Sequence, residues 1–188
     1  MLTIPRLGIV SQAITAVGQS DSQYQIETRL DENGNLKSYP AIVPTDGPEV
    51  DWYSGNQALG GILSADATNT NALFGHSSRN PDYNAIFTMV PTLQPGDEAI
   101  VDTCSGEHLV YVVQQPSIEI AKGSLVDNPE FQMQKAGRLI LVTCYADGEY
   151  TEDGHAKENS VVVLQLRAVT SETEPESTSG RPSRPHVE

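Results

Sequence analysis

Basic residues are scarce in this sequence. It has 11 lysine and arginine residues against 25 aspartate and glutamate residues, which gives a formal net charge of −14 at pH 7. A phosphate backbone is itself negatively charged and is repelled by such a surface. We therefore expect no nucleic acid among the partners of this chain.

Long apolar runs are also missing. No stretch approaches the roughly 18 apolar residues that predict a membrane-spanning helix. The N-terminus lacks the basic and then apolar pattern of a signal peptide. The chain as given is therefore expected to be soluble.

Cysteine is limited to Cys104 and Cys144. A disulfide between them is the alternative to consider in an oxidising compartment. However, Cys104 directly precedes Ser105 and Gly106, a turn between two apolar stretches. We therefore expect Cys104 to be a half-buried strand residue with a free thiol.

No group of His, Cys, Asp or Glu has the spacing of metal ligands, so we expect no cofactor. The acidic segments at residues 147–149 and 152–154 leave calcium binding as an alternative. Acidic surface loops are common in a chain of this charge, which favours the reading without a metal.

What the sequence does contain is a series of short apolar stretches separated by turn residues. Period-two alternation or an unbroken apolar run predicts strands, at residues 7–14, 71–75, 98–102, 109–113, 139–144 and 161–166. Asn33-Gly34 predicts a tight turn, and the spacing of Tyr83, Ile86, Phe87 and Val90 predicts a helix over residues 82–89. Many short strands with one or two helical turns indicate a mostly β fold, a closed or nearly closed barrel.

The length of 188 residues fits one domain with a sizeable core. We assign this domain to residues 1–170. Residues 171–188 contain four glutamates and three prolines among Ser, Thr and Gly, without apolar periodicity. Such a segment buries too little surface to become ordered, so we expect an acidic, disordered tail.

Cys144 stands at the C-terminal exit of the predicted strand at residues 139–144. A thiol at such an exit can be held rigidly and still be reached, and its thiolate is a nucleophile. Taken alone, however, a cysteine at a strand end is more often a small buried hydrophobic residue. The surrounding motifs must therefore decide between the two.

A cysteine nucleophile needs a partner that exchanges protons near neutral pH, and histidine is suited to this. His76 follows Gly75 at the exit of another predicted strand. His155, in the loop after Cys144, is the alternative. His108 flanks a turn and His186 lies in the tail, so both are expected to be solvated.

The segment Leu141-Val142-Thr143-Cys144 resembles the active-site strand of sortases, the cysteine transpeptidases that attach proteins to bacterial cell walls or build pili. Upstream, further segments resemble, in order, the opening strand, the pre-helical turn, the strand with the catalytic histidine, and the short helix and turn after it; they are residues 4–9, 50–53, 71–77 and 85–97. The resemblance covers residues 3–169. It implies a sortase-like closed β-barrel with one or two short helices.

The resemblance implies that Cys144 is the nucleophile and His76 the general base and acid. The third sortase residue is an arginine at the start of the last strand, which stabilises the oxyanion. This chain has Lys157-Glu158-Asn159-Ser160 there instead. We expect Asn159 to take the role through its amide, with Lys157 as the alternative.

Four other side chains are candidates for the same role. Arg138 lies six residues before Cys144, about 20 Å away along a strand, and Arg167 ends the last strand, so both are expected at the far end of the sheet. The hydroxyl groups of Thr143 and Ser77 adjoin the catalytic positions. They could donate to the oxyanion, but local hydrogen bonding at the strand ends is the more frequent use.

The function that the resemblance implies is cleavage of a Thr-Gly bond in an LPXTG-like sorting signal through a thioacyl-enzyme. The acceptor is an amine, from a cell-wall precursor or a pilin lysine. The implied location is the bacterial cell surface, with a membrane anchor outside this chain. Two alternatives remain: a Cys-His peptide hydrolase, and a catalytically inactive sortase-like module that binds peptides.

Overall fold

The computed structural model describes residues 1–54, 63–80, 82–132, 135–152 and 154–171. Its strands are β1 (Leu2–Ile4), β2 (Ile9–Gln12), β3 (Thr15–Val17), β4 (Tyr24–Leu30), β5 (Leu36–Ile42), β6 (Val50–Tyr53), β7 (Asn71–Gly75), β8 (Glu98–Asp102), β9 (Glu107–Val113), β10 (Ile118–Ala121), β11 (Arg138–Cys144) and β12 (Glu158–Ser171). Helical structure in this part of the chain comprises α1 (Pro129–Gln132) and 3₁₀ turns at Pro5–Leu7, Val90–Thr92 and Lys122–Asp127. The expectation of a mostly β protein with short helices is confirmed.

The main sheet has the strand order β2-β1-β8-β9-β12-β11-β7-β6-β3, with β10 pairing alongside β12. Strands β2 and β3 stand at opposite edges of this order, yet β2 ends at Gln12 and β3 begins at Thr15. The short connection brings the two edges close together, so the sheet must curl strongly on itself. The predicted barrel-like fold is confirmed.

The sheet buries apolar side chains on both of its faces. The inner core is an apolar cluster to which β1, β8, β9, β11 and β12 all contribute. In β8 and β9 every second residue is buried, as expected for strands with one face toward a core. In β11, Leu139 and Leu141 point into the inner core, and Ile140 and Val142 point to the other side.

A second apolar cluster covers the outer face of β7, β11 and β12. Its outer layer comes from the β4–β5 hairpin, α1 and the 3₁₀ turn Lys122–Asp127, which supply Tyr24, Phe131 and Leu125. Burial on both faces explains why residues 139–142 form an unbroken apolar run. The hairpin turns at Gly34, whose φ of +79° confirms the predicted tight turn.

The helix predicted at residues 82–89 does not form. Turns occupy this stretch and lead into the 3₁₀ turn Val90–Thr92. The Ile86 amide donates to the Gly47 carbonyl and the Phe87 amide to the His76 carbonyl, both at 2.9 Å, so these groups serve tertiary contacts instead of a helix. Phe87 is fully buried as expected, but Tyr83 is 43% exposed.

Two predictions near the N-terminus were also wrong. Residues 50–53 form the strand β6, which pairs with β3 and β7, and not a pre-helical turn. The strand expected at residues 7–14 forms only over Ile9–Gln12. It starts late because Leu7 belongs to the turn Pro5–Leu7, which Gly8 ends with a left-handed φ of +68°. Trp52 nevertheless packs against the inner core.

Cys104 is exposed in the turn after β8 and not half-buried in a strand, since the Thr103 amide closes that turn onto the Glu107 carbonyl at 2.9 Å. Both cysteines have free thiols.

Strand β12 extends further than predicted, because Ser171 still pairs with Glu107 of β9. Except for Ser171, the predicted tail lies outside the described residues.

Candidate active site

The registers of three strands bring the predicted site residues to one end of the sheet. Cys144 of β11 is paired with Asn159 of β12. On its other side β11 runs parallel to β7, with Val142 opposite Phe74. Two residues further along, His76 comes level with Cys144. Because neighbouring strands lie about 4.8 Å apart, the three residues form one row across the sheet.

The side chains of this row share a face. Side chains alternate along a strand, so Cys144 faces the same side as Val142, and Asn159 the same side as Val161. That side carries the outer apolar cluster. Cys144, His76 and Asn159 accordingly line one cavity of about 280 Å³ between the sheet and the segment after β5.

One hydrogen bond to a backbone carbonyl and one ring contact involve the His76 side chain. Its Nε2 lies 2.7 Å from the Pro44 carbonyl oxygen, which can only accept, so Nε2 carries a proton. The Tyr83 ring packs edge-on against the imidazole, with 5.9 Å between centroids. With Nε2 occupied, Nδ1 is the nitrogen that can exchange a proton with a reacting group. No hydrogen bond joins the described atoms of His76 and Cys144.

The hydroxyl groups of Thr143 and Ser77 are used locally. Thr143 is buried and its Oγ1 donates to the Gly75 carbonyl at 2.8 Å. The Ser77 hydroxyl donates to the Cys144 carbonyl. These bonds fasten the end of β11 to the chain leaving β7. They hold Cys144 and His76 side by side and engage the hydroxyl protons that an oxyanion would need.

Asn159 and Lys157 lie in different surroundings. Asn159 is 8% exposed and lines the cavity of Cys144. Lys157 lines a separate cavity, and its Nζ lies 2.9 Å from Glu149 Oε2. Of the two candidates, Asn159 is the one that shares a cavity with Cys144.

The two arginines near β11 and β12 lie far from Cys144. Arg138 is paired with Gln165 at the opposite end of the ladder and forms an ion pair with Glu130 at 2.5 Å. Arg167 lies beyond Gln165 and pairs with Glu98. The antiparallel register of β11 and β12 thus agrees with the expected distance. Among the described residues that line the cavity, none is an arginine.

His155 also lines this cavity, in the exposed loop after Cys144. Its backbone closes a turn with Thr151, whose Oγ1 donates to the His155 carbonyl at 2.9 Å.

In the same loop, Glu149 is engaged by Lys157, an interaction that lowers the pKa of the Glu149 carboxyl group. Asp153, in the acidic segment at residues 152–154 for which calcium binding is the alternative, lies outside the described residues.

Sequence reasoning missed three residues of the cavity wall that carry ionisable side chains: Glu27, Tyr39 and Lys122. The Tyr39 hydroxyl donates to Glu27 Oε2 at 3.3 Å. Burial raises the pKa of Tyr39, and the charges of Glu27 and Cys144 raise it further. These residues come from the hairpin and from the turn after β10. Their sequence carries no motif, so nothing in it indicates that they approach Cys144.

Comparison with known families decides the identity of this arrangement. A family model described as "Sortase domain" matches residues 2–167. The chain belongs to the sortase family. Sortases are generally cysteine transpeptidases and act on sorting-signal peptides, and the family suggests a bacterial cell-surface enzyme.

Solved sortase structures share this fold. Sortase A from Listeria monocytogenes aligns at a TM-score of 0.52 and 15% identity, covering 81% of this chain and 93% of that one. Sortase C1 from Streptococcus agalactiae aligns at 0.55 and 17%, covering 89% and 66%. Sortase E1 from Streptomyces coelicolor, solved with a tripeptide in the active site, aligns at 0.52 and 16%, covering 82% and 96%. No curated protein sequence matches the chain.

Two features characterise the candidate site. An asparagine lies opposite the cysteine, and Lys122 is the lysine in the described wall of the cavity. Within the described residues, no helix combines the length and apolarity needed to cross a membrane.

Proposed function

We propose that this sortase is a cysteine transpeptidase in which Cys144 is the nucleophile and His76 exchanges the protons. The supporting observation is that Cys144 and His76 lie side by side at the ends of neighbouring strands and line one cavity. The proposed substrate is an LPXTG-like sorting signal, cleaved between Thr and Gly.

The reaction has two halves. The Cys144 thiolate attacks the threonine carbonyl carbon, and the carbonyl oxygen becomes an oxyanion. When the C–N bond breaks, protonated His76 gives its proton to the departing amine and a thioester remains. An acceptor amine then attacks the thioester and loses its proton to His76, and the C–S bond breaks to release the Cys144 thiolate.

The contacts of His76 suit this exchange. The Pro44 carbonyl holds Nε2–H and fixes the orientation of the ring, which leaves Nδ1 to carry the mobile proton. Asn159, buried directly across from Cys144, is the proposed donor to the oxyanion. An amide donor can supply a neutral hydrogen bond there.

The sorting signal would lie extended along the cavity, where backbone groups and alternating side-chain pockets can recognise it. The exposed loop between β11 and β12 borders this cavity through Gly154 and His155. We propose that this loop selects the acceptor, an amine of a cell-wall precursor or of a pilin lysine.

The decisive experiment is mass spectrometry of the full chain incubated with a threonine-containing signal peptide. A thioacyl adduct is expected on Cys144. The adduct should be absent in Cys144→Ala and present in Cys104→Ala, which removes an exposed thiol outside the site. A triglycine or lysine-containing acceptor should then convert the adduct to a new amide.

The same experiment separates the alternatives. Release of the free acid without amide formation would indicate a peptide hydrolase. Binding of the peptide without an adduct would indicate a binding module. Comparison of His76→Ala with His155→Ala then tests the proton carrier: only the former is expected to abolish the adduct.

A further inference from the structure

Lys122 is a buried cation in the wall of the candidate active site. The residue is 8% exposed and lines the cavity together with Cys144, His76 and Asn159. Lysine is almost never this buried without a partner. Yet Lys122 forms no ion pair and no side-chain hydrogen bond with the described part of the chain.

The strand registers place this cation near the thiol. β10 is antiparallel to β12, with Ile120 opposite Asn159, which in turn is opposite Cys144. Lys122 lies two residues beyond Ile120 on the same face, and its amide donates to the Lys157 carbonyl at 3.0 Å. Two strand spacings and two residues separate its Cα from that of Cys144, about 12 Å. An extended lysine side chain brings the ammonium group closer to the thiol than this Cα–Cα distance.

The charges around Lys122 leave it without a counterion. Glu27 is the carboxylate in the described wall of the cavity, but it accepts from the Tyr39 hydroxyl at 3.3 Å and pairs with Arg29 at 3.5 Å. A buried charge without a partner is costly. A partner that arises during the reaction would explain its position.

We propose that Lys122 is a catalytic residue that supplies the positive charge beside Cys144. Its ammonium stabilises the thiolate before attack and the oxyanion of the tetrahedral intermediate, while Asn159 provides the neutral hydrogen bond. The role at the oxyanion rests on the proposed function. The charge beside the thiol does not, and it can be measured without a peptide.

The test compares alkylation of Cys144 by the anion iodoacetate and by neutral iodoacetamide, with each adduct quantified by peptide mass spectrometry. In both reactions the thiolate sulfur forms a bond to carbon and iodide leaves. The ratio of the two rate constants therefore cancels the fraction of thiolate and reports the local charge. Cys104, exposed in the same molecule, is the internal reference.

In the unmodified chain we expect the iodoacetate-to-iodoacetamide ratio at Cys144 to exceed that at Cys104 about tenfold. Lys122→Met and Lys122→Gln should remove this excess, and Lys122→Arg should retain it. Lys157→Met is the matched control, because it removes an ammonium from the neighbouring cavity and should change the ratio less than about twofold.

Equal ratios at the two cysteines of the unmodified chain would overturn the proposal, and this comparison needs no variant. An unchanged ratio in Lys122→Met, with the native circular dichroism spectrum, would overturn it as well. So would an equal loss in Lys157→Met. If the ratio behaves as expected but no peptide acylates Cys144, the charge assignment stands and the proposed transpeptidase function falls.

Discussion

Asn159 is the residue on which the proposed oxyanion site depends most directly. It lies opposite Cys144 with 8% exposure, in the segment where the resemblance to sortases led us to expect an arginine. Its amide can donate without bringing a second buried charge into the cavity.

We predict that Asn159→Ala lowers the rate of Cys144 acylation by about 10²-fold, the usual effect of removing one oxyanion donor. Peptide affinity should change much less, because the donor acts mainly in the transition state. Single-turnover acylation and peptide binding to Cys144→Ala variants measure the two effects. Lys157→Ala is the control, and a larger loss there would move the role to Lys157.

Asp51 is a second residue whose surroundings have a measurable consequence. It is fully buried in β6, and both carboxylate oxygens lack a hydrogen-bond partner in the described part of the chain. Burial, assisted by the charge of Glu49, raises its pKa to about 7. The folded protein therefore retains the Asp51 proton at pH values where the unfolded chain has lost it.

From this pKa we predict that stability falls as pH rises from about 4 to about 7. Below the pKa of Asp51 in the unfolded chain, both states are protonated and stability does not depend on this group. Between the two pKa values only the unfolded state ionises, which lowers the free energy of unfolding by up to about 1.4 kcal/mol per pH unit. Asp51→Asn should remove this contribution. Measured by urea denaturation, the free energy of unfolding of the variant relative to that of the unmodified chain should therefore increase as pH rises across this range. Asp46→Asn, at an exposed turn, is the matched control for replacing one aspartate by asparagine.

The sequence indicates where a single residue lies when its chemistry coincides with a local pattern. Cys144 and His76 each follow an apolar strand, so their placement at strand exits could be read from the sequence. Lys122 and Tyr39 could not, because they reach the cavity through tertiary packing of segments distant from Cys144 along the chain.

Among the elements, the β4–β5 hairpin determines how the site is covered. It packs on the turn Lys122–Asp127, where the Glu32 amide donates to Ser124 Oγ at 3.0 Å. Gly123 allows this contact, since a Cβ there would lie 2.5 Å from the Leu30 carbonyl carbon. The sequence predicted the turn of this hairpin but not its docking, which depends on the outer apolar cluster.

We therefore predict that Gly123→Ala displaces the hairpin and increases the rate at which iodoacetamide alkylates Cys144 by several-fold. Lys37→Ala is the comparison, because it removes only the exposed ion pair of the hairpin with Asp127. Exposed pairs contribute about 0–1 kcal/mol, so its rate should stay within about twofold. An unchanged rate in Gly123→Ala would show that the hairpin does not limit access to the thiol.

For the whole molecule, the order of the motifs along the chain predicted the family and the fold better than any single segment did. The resemblance over residues 3–169 agrees with the family match at residues 2–167, although individual elements, such as the helix at residues 82–89, were assigned wrongly. These errors did not change the predicted fold, because the barrel is defined by the order in which its strands pair. Local propensity does not determine that order.

The C-terminal boundary of the domain follows from that pairing. β12 pairs with β9 as far as Ser171, through Val169 opposite Leu109. We predict that removing residues 172–188 changes neither the melting temperature nor peptide turnover, because this segment has no apolar periodicity with which to dock. Ending the chain after Arg167 instead deletes four ladder positions, from Ala168 to Ser171.

Each ladder hydrogen bond contributes about 1 kcal/mol, and 1 kcal/mol shifts the melting temperature of a chain of this size by about 2–4 °C. The chain that ends at Arg167 should therefore melt several degrees lower, whereas the chain that ends at Ser171 should match the full chain in differential scanning calorimetry. A loss of several degrees on removing residues 172–188 alone would show that this segment packs against the domain. The domain boundary would then have to move beyond Ser171.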